Sequence, residues 1–205
     1  MEEPWDKWDE RYGAEGFAFG TSPNLFLAET ADRIPVGKVL CLCEGEGRNG
    51  VFLAERGHRV HAVDYSSVGL AKAQELATGR GVELATHLMD IAEYKIDPES
   101  WDGIVSIFCH LARPLRALVH EAVVAGLRPG GVYILEAYTP RQLEMGTGGP
   151  SSVERLPTLA DLTHELEGLE LEIGQEIERD VTEGEGRYHS GRAAVVQVVA
   201  RKAEA

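Results

Sequence analysis

The sequence predicts an α/β fold: a mostly parallel seven-stranded sheet, helices on both faces, and an antiparallel hairpin closing the C-terminal edge. Three observations carry this. Short apolar runs alternate with helical patterns from residue 38 to residue 137, the order that builds parallel strands with crossover helices. The first of these runs, KVLCLC, is apolar without alternation, as a strand buried on both faces must be. Two alternating segments separated by a Gly-rich stretch end the chain, and they read as a hairpin.

Taken in order, Trp5 to Gly13 reads as a short aromatic helix, followed by the Gly-rich stretch GAEGFAFGTSPN. Ser22-Pro23 is a helix start, Leu25, Phe26, Leu27 and Ile34 give that helix an apolar face, and Pro35 and Gly37 end it. Strand one is Lys38–Cys43, with the turn Glu44–Asn49 and a helix GVFLAERG after it. His58–Asp64 is strand two, and Ser66 caps a helix running to about Ala77. Val82–Met89 and Trp101–Phe108 are strands three and four. Arg113–Leu127 is helical, Arg128-Pro129-Gly130-Gly131 breaks it, and Val132–Ala137 is strand five. A last helix covers about Thr158–Leu166, before the hairpin strands Leu169–Val181 and Arg192–Ala200. The pentapeptide EGEGR occurs at Glu44–Arg48 and Glu183–Arg187; the second copy lies in the hairpin turn.

With 205 residues the chain suits one domain, 1–205, divided into an N-terminal helical cap over 1–36 and a core over 37–205. Asp plus Glu number 34 against 20 for Lys plus Arg, a net charge of −14, which disfavours nucleic acid and anionic membrane as partners. MEEPWDKWDE lacks the apolar core of a signal peptide, and no apolar run reaches bilayer length. Cys41, Cys43 and Cys109 are an odd number without framework spacing, so reduced thiols and a cytoplasmic location are expected. No further Cys or His cluster accompanies Cys41 and Cys43, so no metal site is expected.

Gly45-Glu46-Gly47-Arg48-Asn49-Gly50 fits G-x-G-x-x-G, after a strand and at the opening of a helix. Gly45 allows the tight turn, Gly47 a close approach of backbone to ligand, and the helix offers unpaired N–H groups. Asp64 ends the next strand, about twenty residues on, where a carboxylate accepts both ribose hydroxyls of an adenosine cofactor. Glu44 and Glu46 would repel a pyrophosphate but suit a sulfonium cation with an ammonium tail, which is S-adenosylmethionine. A nicotinamide-dependent oxidoreductase is the less favoured alternative, since the chain has one nucleotide unit and no second domain.

These residues, with Ala62-Val63-Asp64, Asp90, Ile104–His110 and Leu127–Gly131, resemble a class I S-adenosylmethionine-dependent methyltransferase of Rossmann-like fold. The closest look is to the small bacterial TehB-like (tellurite resistance) and thiopurine/thiol methyltransferase-like group. The blocks Trp8-Asp9-Glu10-Arg11-Tyr12, GTSPN, GEGRN, IFCHL and TGGP carry that likeness over nearly the whole chain. The resemblance implies that Glu44, Gly45, Gly47 and Asn49 of the loop surround the methionine part. It puts Asp64 on the ribose, with Tyr65 and Ser66 near the adenine. Asp90 and Ile91 would meet the adenine amino group and ring, unless Asp90 is merely a cap. Arg11 and Tyr12 would come near the cofactor's carboxylate.

Phe108, Cys109 and His110 follow strand four, at the carboxyl edge where open α/β sheets bind ligands. His110 either orients or deprotonates an acceptor or bonds a backbone carbonyl. The aromatics Trp5, Trp8, Tyr12, Phe17 and Phe19 form a lid or plug the core edge, and Arg187–His189 overhang the mouth. No N-P-P-Y-type run follows strand four, which argues against nitrogen of DNA or protein. The expectation is a small-molecule acceptor (a thiol, selenium or tellurium species) and a monomer or weak homodimer. A non-catalytic module binding the cofactor or S-adenosylhomocysteine stays open as a second alternative.

Overall fold

The computed structural model describes residues 6–181 and 191–204. Trp5 and Arg187–His189 lie outside the described residues. Two short helices come first, α1 (Asp6–Gly13) and α2 (Leu25–Thr30), and a 3₁₀ turn, Ala31–Arg33, extends the second. The N-cap of α2 is Asn24, whose Oδ1 accepts from Leu27 N at 2.9 Å, so the helix starts two residues after the expected Ser22-Pro23.

The core then alternates β1 (Lys38–Leu42), α3 (Arg48–Glu55), β2 (Arg59–Asp64), α4 (Ser67–Arg80), β3 (Leu84–Leu88), β4 (Trp101–Ile107), α5 (Arg113–Gly126) and β5 (Leu127–Tyr138). After α6 (Leu159–Glu165) come β6 (Leu169–Val181) and β7 (Gly191–Lys202). Ser66 caps α4 as expected, its Oγ accepting from Gly69 N at 3.0 Å. Thr158 and Asp161 form a reciprocal capping box on α6. α3 starts at Arg48, so the end of the glycine loop is itself the first turn of a helix.

Seven strands form one sheet in the order β3-β2-β1-β4-β5-β7-β6. β1 to β5 are parallel, and β7 inserts antiparallel between β5 and β6. This is the Rossmann-like class I methyltransferase architecture that the sequence predicts. The non-alternating run of β1 is explained by burial on two faces. Leu40 and Leu42 pack with Trp101, Val123, Leu127 and Leu162 on the side of α5 and α6, while Val39 and Cys41 pack with Phe26, Leu53 and Val60 on the other. Each such side chain contributes about 1.5–3 kcal/mol by leaving water. The edge strand β6 is half exposed and carries Glu170, Glu176 and Asp180 exposed along it, which discourages pairing with another chain.

Chain order and space diverge between β1 and β4. From β1 the chain winds outward to β2 and β3, and from β4 it winds the opposite way to β5. The two strands are in register, Leu42 beside Ser106, and the crevice beyond their carboxyl ends is the switch point at which such sheets take ligands.

Candidate active site

A cavity of about 350 Å³ opens at that switch point. Its walls come from the segments leaving β1 (Cys43, Glu44), β2 (Asp64, Tyr65) and β4 (Phe108, Cys109, His110), from Tyr138 at the end of β5, from α1, and from the 148–155 segment. Of the residues singled out in the sequence, Arg11, Tyr12, Glu44, Asn49, Asp64, Tyr65, Phe108 and His110 line it.

The glycine loop is held from within. Asp64 Oδ2 accepts from Gly45 N at 2.9 Å and Oδ1 from Ser66 N at 2.8 Å, so the acid ending β2 grips the turn ending β1. Burial pushes the Asp64 carboxyl up, and these backbone N–H groups oppose the shift. Glu44 lies buried under the loop. Its Oε1 accepts from Asn49 N at 3.0 Å and Gly50 N at 2.7 Å, capping α3 where Gly47 offers no side chain. Burial raises its pKa from 4.5 to about 7, against the lowering pull of those N–H groups and of the Arg48 charge.

Gly45, Gly47, Ser66, Asp90 and Ile91 are not among the residues lining the cavity. A Cβ on Gly45, at φ +62°, would meet Tyr12 Oη at 2.5 Å, because the tyrosine covers the turn. A Cβ on Gly47 would stand 2.7 Å from Ala73 Cα. That glycine admits α4 against the loop, a different reason from the expected approach to a ligand. Ser66 is occupied as a cap and bonds Asp9 of α1. The Asp90 carboxylate accepts from Ala92 N at 2.9 Å within a turn, with no helix after it for the expected alternative of an N-cap, and Ile91 packs in the core.

The N-terminal segment folds over the cavity. Glu46 lines the cavity and also latches this segment. It accepts from Ala18 N at 2.7 Å and pairs with Lys72, which also donates to Ala14 O and Gly16 O. Trp8, Tyr12 and Phe19 pack on one another at 5.5–6.2 Å between ring centres, with the Arg11 guanidinium 4.6 Å above Trp8. Burial, then the Asp64 and Glu46 charges, drive the Tyr12 hydroxyl well above its ordinary pKa, so it stays a neutral donor.

On the far side Phe108 and His110 pack against Tyr138, the imidazole stacked on the phenol at 5.2 Å and 7°. Tyr138, Gly148, Gly149 and Arg155 line this wall, and sequence reasoning gave them no role there. TGGP was legible as a block without a position in the fold. One expectation is corrected. Cys43 and Cys109 are joined as a disulfide with Cα atoms 5.5 Å apart, and Cys41 alone is free and buried. They are 66 residues apart in the chain, and the pairing of β1 with β4 brings them together.

Residues 39–131 match the model of a methyltransferase domain. No curated protein matches the chain. Among solved structures the fold is similar to one described as "Conversion of a Disulfide Bond into a Thioacetal Group during Echinomycin Biosynthesis", with TM-score 0.75, 17% identity, and coverage of 95% of this chain and 88% of that one. It is similar to TehB from Haemophilus influenzae at TM-score 0.70 and 22% identity, over 86% of this chain and 61% of the TehB chain. An S-adenosylmethionine-dependent methyltransferase from Clostridium acetobutylicum matches at TM-score 0.66 and 14% identity, over 98% and 93% of the two chains. Residues 39–131 thus carry the match to a methyltransferase domain, from β1 to the start of β5 with the glycine loop included, and the sheet around them has the Rossmann-like fold of that class.

Proposed function

We propose that the enzyme methylates a small-molecule acceptor with a soft, readily ionised nucleophile, a thiol, selenium or tellurium species. One observation carries this. Among the described lining residues the carboxylates are Glu44 and Glu46 in the loop after β1 and Asp64 at the end of β2, while the opposite wall is Phe108, His110, Tyr138 and Arg155. An amine or alcohol needs a base within reach, whereas a thiolate or its heavier analogues need little beyond alignment and exclusion of water. His110, stacked on Tyr138, is the titratable group placed to orient the acceptor.

S-adenosylmethionine, when bound, supplies an electrophilic methyl on a sulfonium centre. In this reading Glu44 takes the ammonium of its amino-acid end, Arg11 and Tyr12 stand near the carboxylate, and Asp64 takes the ribose. Asn49, Tyr65 and Phe108 complete the walls, Gly45 and Gly47 shape the loop, and Ser66, Asp90 and Ile91 support the adenine side from behind. Residues 1–36 act as a cap, tied down by the Lys72–Glu46 latch. The net charge of −14 supports an acceptor other than nucleic acid. No described helix is long and apolar enough to cross a membrane. A monomer or weak homodimer in the cytoplasm completes the reading.

The test is a panel of thiols, thiopurines, selenite and tellurite, set against amines and alcohols, with methyl-labelled cofactor. Label is expected on at least one soft acceptor; transfer confined to nitrogen or oxygen acceptors refutes the proposal. Likeness of the opening block to the tellurite-resistance group is the reason for including tellurite. Asp64→Ala is expected to weaken S-adenosylhomocysteine binding by roughly 1.5–3 kcal/mol, as it removes a charged acceptor and also frees Gly45 N. Titration calorimetry measures this, and an unchanged affinity means the ribose sits elsewhere.

A further inference from the structure

Cys43 follows β1 directly and precedes Glu44; Cys109 stands between Phe108 and His110, just beyond β4. Both are half-buried, both line the cavity, and they are bonded to each other. The bridge therefore crosses the switch-point crevice, tying the carboxylate end of the cavity to the aromatic wall. Cys43 and Phe108 both have φ 53°, a left-handed conformation that non-glycine residues adopt rarely and that persists where the surroundings over-determine it. The third cysteine, Cys41, is fully buried among Val39, Leu53 and Val60 and does not line the cavity.

We propose that Cys43 and Cys109 form a reversible redox modification site whose state sets the affinity of the cavity for the cofactor and its product. This rests on the placement of the cofactor at the switch point and not on which acceptor is used. The oxidant is a low-molecular-weight disulfide. One cysteine thiolate attacks it and expels a thiol, giving a mixed disulfide, and the second cysteine displaces the other half. Two protein thiols are thus oxidised by two electrons, with one S–S bond formed in the protein, one broken in the oxidant, and two small thiols released. Bridged, the pair holds the ends of β1 and β4 together across the crevice; reduced, it lets Glu44 and the Phe108–His110 segment part to admit the ligand. Oxidation therefore weakens binding, and by linkage bound ligand makes the pair harder to oxidise.

Wild-type protein equilibrated with dithiothreitol or with oxidised glutathione tests this without any methyl acceptor. Alkylation in denaturant followed by intact mass is expected to find three free thiols in the reduced form and Cys41 alone in the oxidised form. S-adenosylhomocysteine should bind about 5-fold or more weakly to the oxidised form. The same coupling corresponds to a shift of about 20 mV in the midpoint potential of the pair when ligand is present, at 29.6 mV per tenfold. The double variant Cys43→Ser with Cys109→Ser, which leaves no thiol at the crevice for a mixed disulfide, should bind equally before and after oxidant. Three alkylatable thiols after oxidant, or equal affinity of the two wild-type forms, would overturn the proposal.

Discussion

Glu165→Ala is expected to destabilise the protein by about 3–5 kcal/mol at neutral pH, the penalty for a buried charge left without its partner. Arg116 grips Glu165 through Nη2 at 2.8 Å and Nε at 2.9 Å, with both side chains 5% exposed. His120 Nδ1 meets the other face of the carboxylate at 2.8 Å, and its Nε2 faces the Tyr133 hydroxyl at 3.2 Å. The network joins α5, α6 and β5 beneath the sheet. Truncation strands the guanidinium in the interior and removes an acceptor from the imidazole. Burial alone would raise the Glu165 pKa, but hydrogen bonds from His120 and Arg116 outweigh it and hold the group at about 2. A carboxylate whose folded pKa is depressed stabilises the fold above its ordinary value near 4.5 and loses that contribution as pH falls through about 2. Urea melts at pH 7 and pH 3 should therefore separate wild type and variant most at pH 7. A difference below about 1 kcal/mol at pH 7 would mean that the ion pair only offsets its own desolvation. The variant should also raise the KM for the acceptor, because Arg116 Nη1 approaches the carbonyl of Glu154, the neighbour of Arg155 in the cavity wall.

How much was legible in the sequence depends on the range of the interactions that decide each feature. The glycine loop, the helix after it and Asp64 lie within one βαβ unit, and the Gly45–Asp64 hydrogen bond spans only 19 residues. Composition and spacing reach that far. The unbroken apolar run at Val39–Leu42 likewise announces burial on both faces. Strand order does not follow from such local cues. A hairpin at β6 and β7 reads from alternation, but the placing of β7 inside β6 is decided by its pairing with β5, Tyr138 beside Val195. The far cavity wall is less legible still. Arg155 and Gly149 arrive on a long connection whose path depends on distant anchors. A Cβ on Gly149, at φ +91°, would come within 2.8 Å of the Tyr138 ring, so the glycine is explained by an aromatic eleven residues away in sequence and tight against it in space. Gly47 fits its motif for a reason the motif does not state, the close packing of Ala73. Glu46, between the two motif glycines, serves the N-terminal segment.

Glu44→Gln is expected to raise the stability of the ligand-free protein and to weaken cofactor binding. The glutamine keeps an oxygen for Asn49 N and Gly50 N, so the cap on α3 survives while the charge is lost. With a folded pKa of about 7 against an ordinary 4.5, the protonated acid is the form the fold prefers. The sign follows from linkage. A raised carboxyl contributes stability fully below pH 4.5 and loses it as pH rises through about 7, so ionisation costs on the order of 3 kcal/mol at pH 8. The variant should therefore melt higher than wild type at pH 8 and together with it at pH 4. Binding runs the other way. An ammonium beside a buried carboxylate gains about 1.5–3 kcal/mol over a neutral acceptor, so the variant should hold S-adenosylhomocysteine roughly tenfold less tightly or worse at pH 8. Wild-type affinity should climb between pH 6 and pH 8 as Glu44 ionises, and the variant should lose that climb. Equal melting at pH 8, or the same pH dependence of binding in both proteins, would place the ammonium elsewhere. The strain of holding a charge under the loop is useful only if a cation arrives to relieve it, which makes Glu44 a residue that disfavours the empty site and favours the filled one.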